Sequence, residues 1–395
     1  YSKGLFESIS EFIHYPIDGK PFYMGQNEYY KRPNILPGEL GMNLLINHNV
    51  TTRDTLIDTI TNIIVSKKSS LSISENKIFD LISPVNPVNG YNNLIIEDTA
   101  TLSLLSNSKI FVHRPNRITL KFNSYMKTNI NSEINIESGA LYCDEGTNRV
   151  GPLILNFQAG IHLLCSTLSD LAEKDSTSIV LSDSAVLKLP DNYTLHLSGS
   201  KTSLILKPNS KIKFGENSKI IFDSSASLIA NSATFTSIDS TLKWDGIVLS
   251  NSDADTITNC TFSNAITALT ITNDANTAYK NRIITNNTFN VPSGGICKGI
   301  YGENNYKMLL KGNTFNMPVY FPSASPVPLI YVGVYLKNSS TIEAAGVDIE
   351  EDQSTNYSLN IIENTFSNGC ASIILANYTS NYLPYIINDN VFNNT

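Results

Sequence analysis

The side chains able to do chemistry are few and thinly spread. Five histidines, His14, His48, His113, His162 and His196, occur in the chain, and no two stand at the spacing by which a helix or hairpin holds a metal. The run His113-Arg114-Pro115-Asn116-Arg117 groups an imidazole with two cations, the kind of set a proton-abstracting centre uses. It falls at a predicted turn between Val112 and Ile118, where it reads as a solvated corner. Glu343, Asp348, Glu350, Glu351 and Asp352 offer oxygens to Ca²⁺ but lack the alternating ligand order and the Gly of a calcium loop, and read as a solvated insertion. Lys280, Arg282 and Lys298 form a thin basic group that reads as surface charge. No G-x-S-x-G string or phosphate-cradling Gly loop is present. The sequence therefore assigns no catalytic residue, metal ligand or cofactor.

A more regular set consists of asparagines. The strings NCTF, NNTF, GNTF, ENTF and DNVF end at Phe262, Phe289, Phe315, Phe366 and Phe392. All but one of the steps between these Phe residues are nearly equal, and the step from Phe315 to Phe366 is about twice as long. Asn287, Asn313, Asn364 and Asn390 stand two positions before their Phe, and Cys260 takes that place in the first string. Stacked amides donate and accept along one axis while satisfying turn backbone, so a row of them would fix one corner of a repeating structure. The alternative is N-glycosylation, since N-x-S/T strings occur at Asn49, Asn192, Asn259, Asn286, Asn338, Asn356, Asn377 and Asn393.

The elements that position such a row are written in an eight-residue beat. The pairs Ile179/Leu181, Leu187/Leu189, Leu195/Leu197, Leu204/Leu206, Ile212/Phe214, Ile220/Phe222 and Leu228/Ala230 follow one another at that step, with a single extra position before Leu204. Earlier pairs, from Ile63/Val65 to Phe79/Leu81 and from Leu94/Ile96 to Ile118/Leu120, keep the same step. No α-helix has that period. An i, i+2 pair loads one face of a short strand, and the intervening Ser, Asn, Asp, Gly and Pro turn the chain. Two apolar residues cannot hold a lone strand, so the units must stack on copies of themselves, three sides to a coil of about 24 residues. The long step from Phe315 to Phe366 then holds one coil with insertions near residues 317–328 and 343–358, the first Pro-rich and the second acidic.

This pattern, with Trp244-Asp245-Gly246-Ile247, resembles the right-handed parallel β-helix repeat of the pectate-lyase-like superfamily over residues 44–395. The resemblance implies an all-β solenoid and says little about activity, because lyases, glycosidases and inert surface proteins share the scaffold. Against the pectate lyases, the 113–117 run departs from their R-x-P-x-x-R pattern. The G-D-D and G-H-G strings of the polygalacturonases are missing.

Residues 1–43 read as an N-terminal cap. Leu5, Phe6, Ile9, Phe12 and Ile13 follow helical spacing up to Pro16, and a cap covers the open end of a solenoid; an attachment or sorting segment is the alternative. Ile161, Leu164, Cys165, Leu168 and Leu171 also fit a helical face. Cys143 and Cys165, close to one coil apart, would face each other if the coil continued through that stretch; otherwise they are plain buried cysteines. The chain stops at Asn393-Asn394-Thr395, where another coil is due, so a removed segment or another molecule is expected to cover that end.

Charged residues make up 16% and the net charge is −7, which argues against nucleic acid or an anionic membrane as partner. No apolar run approaches the roughly 18 residues of a membrane span, and no signal peptide stands at Tyr1, as in a mature or trimmed form. The middle residues of the strands point outward, and Val180, Ile205 and Ile229 follow one another at the coil repeat. They are expected to form one outward apolar column, a contact surface unless an insertion covers it. The resulting expectation is a noncatalytic structural or adhesive protein, secreted or on a bacterial cell surface, built as a rod, self-associating end to end or contacting surface polysaccharide or protein. A polysaccharide lyase on the same scaffold is the alternative.

Overall fold

The computed structural model describes residues 11–15, 22–25, 43–52, 56–58, 62–81, 93–113, 117–137, 141–143, 148–150, 153–158, 160–163, 176–252, 255–273, 282–303, 308–319, 330–337, 359–368, 371–376 and 386–393. It is a parallel β-helix. The chain divides into two compact units, residues 1–185 and 186–395.

In the first unit, among the described residues from 43 to 157, each turn of the chain lays down three short strands. The coil holding Asn93–Ile96, Thr101–Leu104 and Lys109–Val112 pairs in parallel with the one holding Arg117–Leu120, Tyr125–Thr128 and Glu133–Ile136. Leu102 lies opposite Met126 and Ile110 opposite Ile134, each partner one coil further along the chain. These side chains, with Leu94 and Ile118, are fully buried, so the interior is a set of apolar columns. Corners use the left-handed region: Asn76, Asn107 and Asn131 each have φ of 57°, a conformation asparagine tolerates better than most residues. Their amides are linked, Asn107 Nδ2 to Asn76 Oδ1 and Asn131 Nδ2 to Asn107 Oδ1, at 3.0 Å each.

The helix expected near the N-terminus is a strand instead, and so is the start of the stretch that fitted either a coil or a helical face. Glu11–Tyr15, which contains Phe12 and Ile13, is a strand paired antiparallel with Phe22–Gly25 on one side and Asn43–Ile46 on the other. Unpaired N–H and C=O groups along Asn43–Ile46 are a stronger partner than solvent for a short apolar segment. Leu5, Phe6 and Ile9 lie outside the described residues. Gly160–Leu163 is likewise a strand, with Ile161 in it, while Leu164, Cys165, Leu168 and Leu171, and with them the proposed pairing of Cys143 and Cys165, lie outside the description.

In the second unit the three sides are seen in Ser203–Leu206, Lys211–Phe214 and Lys219–Asp223, followed one coil later by Ser227–Asn231, Thr234–Ser237 and Gly246–Ser250. Leu204 sits opposite Leu228, and Ile212 opposite Phe235. Phe262, Phe289, Phe315 and Phe366 are opposite one another in turn, so Phe315 and Phe366 occupy adjacent coils despite the long segment between them. Their rings stack at 4.9, 4.8 and 4.8 Å with interplanar angles of 8° or less, an offset spacing that aromatic pairs favour. Trp244 stacks on Phe214 at 3.8 Å and donates its indole N–H to the Ser263 carbonyl at 2.8 Å. Gly246 beside it has φ +110°, and a Cβ there would lie 1.8 Å from the Thr267 carbonyl oxygen, so only glycine fits.

Candidate functional site

The asparagine row lies at one corner of the second unit, just ahead of the Phe column. Asn287, Asn313 and Asn364 are at most 1% exposed. Asn287 Nδ2 donates to Asn313 Oδ1, Asn313 Nδ2 to Asn364 Oδ1 and Asn364 Nδ2 to Asn390 Oδ1, all at 3.0 Å. The second Nδ2 hydrogens reach the carbonyls of Ile257, Ile284 and Leu310 at 2.9, 2.8 and 3.0 Å. Each Oδ1 also accepts a backbone N–H from the coil before: Cys260 to Asn287, Asn287 to Asn313, Asn313 to Asn364, and Asn364 to Asn390. The residue preceding each position is left-handed, with φ of 56° at Asn259, 57° at Asn286, 66° at Gly312, 56° at Glu363 and 53° at Asp389. A Cβ on Gly312 would come within 2.3 Å of Asn286 Oδ1. Cys260, where the row begins, is buried, and burial pushes its thiol up to about 11, which keeps it out of nucleophilic chemistry.

The outer faces carry two uncharged columns. Thr234, Thr261, Thr288, Thr314 and Thr365 lie opposite one another on successive strands. Beside them Asn290 donates to Ser263 at 3.1 Å and Asn316 to Asn290 at 2.9 Å. On another side Ile205 faces Ile229, then Thr256, Ile283 and Leu309 follow in register. Ile229 and Ile283 are 42% and 41% exposed. Val180 belongs to the first unit, where it lies opposite Asn156 and is half-buried. The threonines were legible in the strings that end in T-F, yet only the register shows that they form a column.

Some ionisable side chains tie one coil to the next, while Lys188 and Lys213 lie opposite one another as like charges. Lys109 pairs with Glu133 at 2.8 Å, and His196 Nε2 meets Asp223 Oδ2 at 2.5 Å. His113, expected at a solvated corner, lies between two carboxylates: Nε2 is 2.9 Å from Asp80 Oδ1 and Nδ1 is 2.8 Å from Glu137 Oε1. Arg282 is not the surface charge expected from its neighbours. It is 1% exposed, and its Nε lies 3.2 Å from Asp255 Oδ2, while a terminal nitrogen donates to Asn273 Oδ1 at 2.7 Å and to Ser252. Asp255 also accepts from Ser252 Oγ at 2.6 Å. Burial pushes the Asp255 carboxyl up to about 6 against the pull of Arg282. Lys280 lies outside the described residues, as do residues 343–352.

Lys298, the third member of that basic group, sits 4.8 Å from the centroid of Tyr301 and 5.1 Å from that of Tyr335, whose rings stack at 5.6 Å. The Tyr301 hydroxyl donates to Glu303 at 2.8 Å, and burial with this carboxylate pushes it up to about 12. Burial lowers the Lys298 ammonium. A phenol proton held this tightly is poorly suited to acid or base work near neutral pH. Lys298, Phe262, Ala265, Phe289 and Val291 border a dip too small to hold a water molecule. Among the described residues no group of three His, Cys, Asp or Glu side chains is placed to hold a metal, and no helix is long and apolar enough to cross a membrane.

No protein-family model and no curated protein sequence matches the chain. A solved structure described as the TibC-catalyzed hyper-glycosylated TibA fragment is similar at a TM-score of 0.21 and 9% identity, covering 69% of this chain and 93% of that one.

Proposed function

We propose that the chain is a noncatalytic structural or adhesive protein, secreted or displayed on a bacterial surface, which works by contact along its outer faces. One observation carries this reading: the outer faces present uncharged columns in register, Ile205, Ile229, Thr256 and Ile283 on one side and five threonines on another. Such a face makes dispersion and hydroxyl contacts with a second copy or with a polysaccharide, at little desolvation cost. The contact surface is assigned to the Ile205–Ile229 column, with Val180 marking the outward strand position in the first unit, and the asparagine row to holding the coils beneath it.

The test is a depolymerisation screen on acidic and neutral polysaccharides with and without Ca²⁺, run beside light scattering and a surface-adhesion assay. The reading expects adhesion or self-association that Ile229→Asp and Ile283→Asp abolish, and no release of unsaturated or reducing ends. Cleavage lost on Tyr301→Phe or Lys298→Met would replace it with the polysaccharide-lyase reading.

A further inference from the structure

We propose that Lys188, Lys211 and Lys213 form a docking site for a polysaccharide that carries tetrahedral anionic esters, sulfate or phosphate. The site rests on the contact reading above and names a partner for it. Ala185–Leu189 and Lys211–Phe214 lie side by side in parallel, with Lys188 directly opposite Lys213 and Val186 opposite Lys211. Neighbouring strands stand about 4.8 Å apart, and like charges set opposite one another destabilise a sheet unless a counter-charge sits between them. Among the described residues no carboxylate supplies it, since none of the three ammonium groups forms an ion pair. The acids of the flanking corners are Asp183, which accepts from Ser184 Oγ at 3.2 Å, Asp191, which accepts the Glu216 N–H at 2.8 Å, and Glu216 itself. Lys207, in the corner before Lys211, adds a fourth cation.

The remainder of this side decides what kind of anion fits. Lys211 lies opposite Thr234 and Lys213 opposite Thr236, and Thr261, Thr288 and Thr314 follow Thr234 in register. None of the described strands here, from Ala185–Leu189 to Thr365–Ser367, places a carboxylate outward. A partner lying along the coils thus meets ammonium groups first and hydroxyls after, which suits a hydroxyl-bearing chain with charges attached. Each ammonium is a compact charge with three N–H donors. A tetrahedral ester turns several acceptor oxygens toward two such groups at once, where a carboxylate has two oxygens to share. Lys211 is exposed and Lys188 and Lys213 are half-buried, so the two opposed stems lie along the sheet while their charged heads face water.

The experiment is calorimetric binding of the full chain to dextran sulfate and to dextran phosphate, with unmodified dextran, polygalacturonate and duplex DNA as comparisons. At least one of the two esters should bind about tenfold or more tighter than every comparison, and weaken as salt is raised from about 0.05 to about 0.5 M. Lys188→Met combined with Lys213→Met should lose about tenfold or more of that binding. This pair also removes a repulsion, so its thermal midpoint should be no lower than that of the wild type. Lys201→Met with Lys219→Met, which deletes the same charge elsewhere in the unit, should change binding by less than about twofold. Polygalacturonate or DNA bound as tightly as the esters, or an equal loss from the two lysine pairs, overturns the proposal. No ester binding while adhesion or self-association persists overturns this site alone; ester binding with neither of them supports the site and overturns the contact reading.

Discussion

Replacing Asn313 by Ala removes the middle link of the asparagine row and should be among the most damaging single changes in the second unit. The Asn287 N–H loses its acceptor at 3.0 Å, and the Ile284 carbonyl and Asn364 Oδ1 each lose a donor, at 2.8 and 3.0 Å. The site is fully buried, so the stranded N–H costs about 1–3 kcal/mol and each lost bond about 0.5–1.5 kcal/mol. Together this is about 2–6 kcal/mol, concentrated in the coils on either side. Solenoids need not melt in one step, so the assay is residue-resolved hydrogen exchange with a urea titration. Protection should fall most at the Asn287, Thr288 and Thr314 amides. Asn316→Ala, whose exposed amide reaches Asn290 at 2.9 Å, is the control and should cost about 0.5 kcal/mol or less. If Asn313→Ala loses less than about 1 kcal/mol and the Asn287 amide keeps its protection, the row is not what holds these corners.

Other outcomes follow from the same coils. Phe289→Ala opens the middle of the stacked Phe column and should cost about 3–5 kcal/mol, measurable in the same urea titration. Arg282→Met leaves Asp255 without its cation and should destabilise by about 3–5 kcal/mol, whereas adding Asp255→Leu should recover most of the loss, a double-mutant cycle that separates pairing from packing. The Asp255 carboxyl, held near 6 by burial, is raised above its unfolded value; the stability it contributes is therefore full below about pH 4 and is lost as the pH rises through about 6. A carbon-detected titration with its midpoint near 4 would contradict that burial effect. Ile229→Asp should leave the fold intact, since the side chain is 42% exposed, and circular dichroism on the variant checks this.

The interior of this fold is legible in the sequence because the eight-residue beat acts locally: Leu204 and Leu228 lie one coil apart, and each announces a strand by its own i, i+2 partner. The asparagines were equally visible, since a corner that recurs once per coil repeats its chemistry with it. What was hidden depends on partners that spacing alone does not select. Phe12 and Ile13 fit a helical face and a strand equally well, and pairing with Asn43–Ile46 decided between them. Arg282 reads as surface charge until Asp255, on the preceding coil, is placed beside it in the interior. Asp80 and Glu137 flank His113 from the coil before and the coil after, and the step back to Asp80 crosses residues 82–92, which obscure the coil period.

Each amide-to-amide link in the asparagine row runs the same way, an NH₂ group donating to the amide oxygen of the next coil. The row is thus a vector, and a coil is a unit with an input and an output. Because the output of each unit matches the input of every other, a whole coil excised between equivalent asparagines would leave the donors and acceptors on either side of the cut matched. Fusing two such stretches head to head would set oxygen against oxygen or NH₂ against NH₂. Length in this architecture is free to change by complete turns, while direction is not.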